Sequence, residues 1–278
     1  MTETELFLSL PEFMWNGIFN IIVTLGAGLI VAFVTTFYLK KKDEITRVAG
    51  VILEKRVNTS QEILNYLEKL SFKKELKTGT EFELYNLLKE YGFNLPYEPN
   101  LQYSNVFESI EKFREFFHGF ENIIAINKLW MNTKVRDHLL FMQGYFGSIN
   151  ALILEIGRVP VPKEMALDVK DVDNIASDII LVAGITLDAE ISDMISELET
   201  LIVDSVYHLD LKRPKNTPVR NTFLNKDMKK IRKRLEKTLV YKLQEKYAVL
   251  ILNTVYEYLG ERLTEDKFEK MMREMKWQ

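Results

Sequence analysis

Three histidines are the only side chains in this sequence whose ordinary pKa lies near neutrality, so acid–base chemistry is sought around them first. Glu115 and His118 make an E-x-x-H pair, the spacing by which helices present di-iron ligands. Such a site needs a second E-x-x-H and two further glutamates. No second pair occurs, so His118 is expected on the polar side of an aromatic helix. Asp204 and His208 stand one helical turn apart, a spacing that orients an imidazole or begins a metal site. No third ligand accompanies them, and a surface ion pair is the expectation. His138 follows Arg136 closely. A hydrolase or nuclease with dispersed site residues would have His118 or His138 at its centre.

Other chemistries are narrowed by what the sequence lacks. There is no cysteine, which excludes a thiolate zinc site, an iron–sulfur cluster, a disulfide framework and a cysteine nucleophile. Neither G-x-x-x-x-G-K-[ST] nor G-x-G-x-x-G occurs, so the familiar phosphate cradles are missing. No serine lies in a nucleophile elbow. The sequence therefore assigns no catalytic residue, no metal ligand and no cofactor.

Charge is more informative. Between Glu164 and Asp204 there are eleven acidic residues and one basic residue, Lys170. Between Lys226 and Lys246 the balance reverses, with Lys229, Lys230, Lys233, Arg234 and Lys237 clustered. Three readings compete. The two segments pack and their rims attract; each is a solvated face; or the basic segment meets a phosphate-rich surface such as the anionic inner leaflet. The cluster lacks the interleaved aromatics that stack on bases, which disfavours nucleic acid. The net charge of -3 implies no polyanionic partner for the whole molecule.

The element that would position all of this lies near the N-terminus. Ile18 to Leu39 reads IFNIIVTLGAGLIVAFVTTFYL, 22 residues without a charge. As a helix it is about 33 Å long, close to the hydrocarbon thickness of a bilayer. Glu3, Glu5 and Glu12 precede it where a signal peptide would be basic. No Lys or Arg occurs before Lys40, whereas Lys40, Lys41, Lys42 and Arg47 follow at once. The positive-inside bias then puts residues 1–17 outside and 40–278 in the cytoplasm. Within the span Thr24, Gly28 and Ala32 recur every fourth residue, flanked by Asn20 and Thr36. Small residues at this spacing form a seam along which two helices approach closely.

After Lys40, strong helix formers dominate and prolines are few. Helices are expected from Lys41 to about Lys77, Glu81 to Tyr91, Asn105 to Leu129, Lys134 to Gly157, Val172 to Tyr207 and Lys226 to Leu259. A last one, opened by Thr264, carries a stripe of Phe268, Met271, Met272 and Met275. Val159-Pro160-Val161-Pro162 marks a subdivision near 158–163. No alternating run argues for a sheet.

The expected fold is all-α: one transmembrane helix followed by a cytoplasmic antiparallel bundle of about six to eight helices. The expected function is a single-pass, membrane-anchored interaction or scaffold module that self-associates, touching membrane lipids and a cytoplasmic protein partner. The alternative is a bacterial membrane effector, of the anti-phage or toxin-like kind, whose oligomers perturb the bilayer.

Overall fold

The structure, a computed structural model, describes residues 6–7, 10–76, 80–95, 101–161, 167–207 and 225–261. The chain is mostly helical. Its contacts divide it into two compact units, Met1–Lys55 and Arg56–Gln278.

The smaller unit begins with two-residue strands, β1 (Leu6–Phe7) and β2 (Leu10–Pro11), paired antiparallel. Helix α1 (Glu12–Phe33) follows, then a π-helical segment (Val34–Leu39) and the start of α2 (Lys40–Leu67). Helix α1 starts six residues before the apolar run, directly after Pro11, which cannot extend a helix backwards. The end of the run departs from the expected α-helix: the wider π turn changes the angular spacing there. The run is long and apolar enough to cross a membrane, and none of its most apolar window is buried.

In the larger unit one helix, α5 (Thr133–Ile156), lies at the centre. It packs against α4 (Ile110–Asn127), α6 (Val169–Thr186), α7 (Asp188–Tyr207), α8 (Asn225–Leu235), α9 (Leu239–Lys242) and α10 (Gln244–Glu261). Asn132 opens α5, its side chain accepting the Lys134 N–H at 3.0 Å. By length and composition α5 too could span a membrane, but 56% of its apolar window is buried within the protein. Phe116 and Phe120 of α4 stand nearly perpendicular to Phe146 on α5, with ring centroids 5.3 and 5.6 Å away. Residues on both sides of the Val159–Pro162 segment contribute to one apolar core.

Several boundaries differ from the sequence reading. Helix α2 stops at Leu67 and a 3-10 turn (Glu68–Ser71) leads into β3 (Lys73–Glu75), which pairs antiparallel with β4 (Gln102–Ser104). Three residues are too few to show alternation. The acidic stretch is two helices, α6 and α7, broken at Leu187. The basic stretch is three: α8 ends at Leu235, where Thr238 Oγ1 bonds back to the Leu235 carbonyl at 2.6 Å. Helix α9 restarts on Leu239, whose N–H donates to both carboxylate oxygens of Glu190 at 2.9 Å. That cap comes from α7, so no local pattern announces it. Helix α3 (Thr80–Glu90) ends as expected at Gly92, whose φ of 75° is the left-handed conformation glycine tolerates. The expected last helix and its methionine stripe lie outside the described residues.

Helix α6 crosses the chain at Phe107 with no room to spare. A Cβ on Gly184 would sit 2.5 Å from Phe107 Cβ and 2.8 Å from its Cγ. Phe107 is buried and those atoms cannot swing away. Gly184→Ala is expected to cost about 1–3 kcal/mol in urea unfolding. Gly147→Ala meets only Phe117 Cζ at 3.8 Å and should be neutral or stabilising, since alanine favours the helix.

Candidate functional site

Helix α5 carries Val135, His138, Met142, Tyr145, Ile149, Leu152 and Ile156 at alternating spacings of three and four, and all are buried. His138 thus occupies a core position on an otherwise apolar or aromatic face. Its Nε2 donates to the Met194 carbonyl of α7 at 2.8 Å. A carbonyl only accepts, so Nε2 holds the proton and Nδ1 of the neutral ring presents a lone pair. Nδ1 has no hydrogen-bond partner among the described residues, although the side chain is 1% exposed. Its neighbour is Glu197 Oε1 at 3.5 Å, an ion pair only when the ring is protonated.

A cleft of about 310 Å³ opens over this histidine. Lys134, Asp137 and Phe141 of α5, Glu197 and Leu201 of α7, and Lys230, Ile231 and Arg234 of α8 complete its walls. Arg234 pairs with Glu197 through Nη2 and lays its guanidinium over the Phe141 ring, 3.9 Å from the centroid. This contact joins the acidic and basic segments at their rims. Asp137 is paired with Arg136 at 3.3 Å.

The other residues singled out by sequence lie apart from the cleft. His118 is exposed, with Nδ1 3.6 Å from Glu121 Oε2. Among the described residues no group of three His, Asp or Glu side chains stands close enough to hold a metal ion. His208 lies outside the described residues. Asn20, Thr24, Gly28, Ala32 and Thr36 are exposed, and nothing stands within 4 Å of a Cβ built on Gly28. Thr24 Oγ1 donates to the Asn20 carbonyl at 2.7 Å, so that hydroxyl needs no water. Lys40, Lys41, Lys42 and Arg47 are exposed as well. Of the basic cluster, Lys229, Lys230, Lys233 and Lys237 are exposed, while Arg234 is held by Glu197 and Phe141.

Glu197, Phe141, Lys134 and Asp137 were not singled out by sequence. The available signal was His138 itself, one polar residue in the three-four series of α5. Its partners come from helices some sixty and ninety-six positions further along.

Burial holds the His138 pKa below its ordinary 6.5, and the Arg234 charge pushes it the same way. The Met194 bond and the Glu197 charge oppose this without prevailing. Lys134 and Lys230 line the same cleft and Asp137 faces it. As pH falls below 6.5 the unfolded chain takes up this proton before the folded one does. The stability contribution is therefore complete above about 6.5 and is lost as pH falls toward the folded value. Urea unfolding should show stability declining as pH falls below about 6.5, by at most about 1.4 kcal/mol per unit for one proton. His138→Gln should flatten that part of the profile, and an unchanged slope would remove His138 from its origin.

Comparison of the chain with protein-family models, with curated proteins and with solved structures finds no match in any of the three.

Proposed function

We propose that this chain is a membrane-anchored helical interaction module. Residues 18–39 cross the bilayer once, the N-terminus is outside, and the helices after Lys40 work at the cytoplasmic face. One observation carries the reading: α1 leaves its large apolar side chains uncovered on all sides, with Phe19, Leu29, Ile30 and Phe33 each at least 65% exposed. Burying one such side chain is worth about 1.5–3 kcal/mol, so a run of them demands apolar surroundings that the described residues do not supply. Lipid supplies them. The contrast with α5, equally capable by length but covered by its own fold, supports assigning the anchor to residues 18–39 alone.

Self-association through Asn20, Thr24, Gly28, Ala32 and Thr36 belongs to the same reading. The open surface over Gly28 suits a second helix, and the aligned small residues permit close approach. Lys40, Lys41, Lys42 and Arg47 would meet anionic head groups and hold the orientation. Confinement to a surface raises the effective concentration of the larger unit for partners there, which is the physical use of an anchor on a scaffold.

Three measurements test this. The full chain should stay with the membrane through an alkaline carbonate wash, and its release would remove the anchor. The chain has no cysteine, so single-cysteine variants report topology directly: Thr4→Cys should label from outside and Thr46→Cys only after permeabilisation. Gly28→Leu should lower the yield of crosslinked dimer in membranes severalfold, and an unchanged yield would retire the seam. Collapse of the membrane potential on induced expression would move the chain from scaffold to bilayer-perturbing effector.

A further inference from the structure

The geometry points to the cleft between α5, α7 and α8 as a binding site for a phosphoryl group, held by Lys134, Lys230 and Arg234 with His138 at its floor. This stands independently of the anchor.

The charge balance comes first. Three cations and two carboxylates line the cleft. Asp137 is taken by Arg136 and Glu197 by Arg234. Lys134 and Lys230 have no ion-pair partner among the described residues, and the described lining of the cleft carries a net positive charge. Its volume of about 310 Å³ suits a small ligand or a head group.

Arg234 supplies direction. Phe141 supports one face of the guanidinium and Glu197 binds one edge. The remaining N–H donors keep a fixed fork geometry, which phosphate oxygens accept two at a time. Three separate cations match the three terminal oxygens of a phosphomonoester. A carboxylate offers two.

His138 supplies the second, independent observation. Its buried Nδ1 stands 3.5 Å from Glu197 Oε1 and has no hydrogen-bond partner among the described residues. A buried acceptor without a donor costs about 1–3 kcal/mol. A phosphomonoester has a second ionisation near pH 6 and so still carries an O–H in part of its population at neutral pH. That O–H can donate to Nδ1, which leaves one more proton in the complex than in the separated dianion and protein. Sulfate has the charge but no such proton at neutral pH.

The experiment uses the full chain in nanodiscs of zwitterionic lipid at pH 7 and fixed ionic strength. Inorganic phosphate and a nucleoside monophosphate are titrated by calorimetry against sulfate and chloride. Saturable binding that favours the phosphates is expected, with proton uptake seen as a dependence of the measured heat on buffer ionisation enthalpy. Lys134→Gln with Lys230→Gln changes only exposed side chains and should weaken binding about tenfold or more. Lys229→Gln, outside the cleft, should leave it unchanged. Vesicles containing phosphatidic acid, with phosphatidylglycerol as the phosphodiester control, separate the two sources of the group. Displacement of the nucleoside monophosphate by phosphatidic acid alone assigns a lipid head group. Binding of the free monoester without displacement assigns a soluble ligand. The site is overturned if nothing saturates, if chloride or sulfate matches phosphate, or if Lys229→Gln loses as much as the cleft pair.

Discussion

Apolar surface on a helix has to be covered, and the larger unit is organised by covering one helix. Helix α5 is apolar on most of its circumference, and six other helices lie against it. Each covers one sector, which is why a stripe of apolar residues suffices on each of them. The phenylalanines of α4 are placed by the same need, since two of their rings pack at right angles to Phe146 on α5. Polar groups drawn into this core bring partners with them. Tyr145 of α5 donates to Glu190 Oε2 at 2.7 Å, and burial together with that carboxylate raises its pKa. Glu190 in turn caps α9. One carboxylate thus joins the covered helix to two of those that cover it.

The same constraint explains how far the sequence could be read. Periodicity located α4 and α5, with Asn132 marking the start of α5, although α4 begins at Ile110, five residues after the expected Asn105, behind the Ser109 cap. Gly92 ended α3 for a local reason. What escaped was set at a distance. The basic stretch looked continuous because the carboxylate that restarts it is forty-nine positions away. The strand pair β3–β4 joins two three-residue segments across twenty-nine positions of register, and neither segment carries a pattern of its own. The π-helical turn after Phe33 has no signature in composition.

The charged segments make a parallel case. Sequence alone could not choose among mutual attraction, solvation and an anionic surface, and the structure shows attraction at one residue and exposure at others. Arg234 is the contact between the rims. Arg232 is engaged locally, 3.2 Å from Glu236 just beyond the end of its helix. Lys229, Lys233 and Lys237 are solvated, while Lys230 reaches the cleft. A cluster that reads as one feature in sequence is several in space, because successive residues on a helix point 100° apart and meet different neighbours.

His138 is where the locally consistent pattern is broken. Every other position of the three-four series in α5 holds a side chain that packs or, like Tyr145, satisfies its polar atom. Leucine or methionine at 138 would fit the same face and leave no acceptor unpaired. The imidazole instead keeps a lone pair at the base of a cleft whose arginine is already propped against an aromatic ring. An unpaired acceptor facing a carboxylate is unfavourable in the isolated protein, but it becomes favourable once something bearing a proton and a negative charge enters. A ligand that relieved this local cost would gain affinity from it.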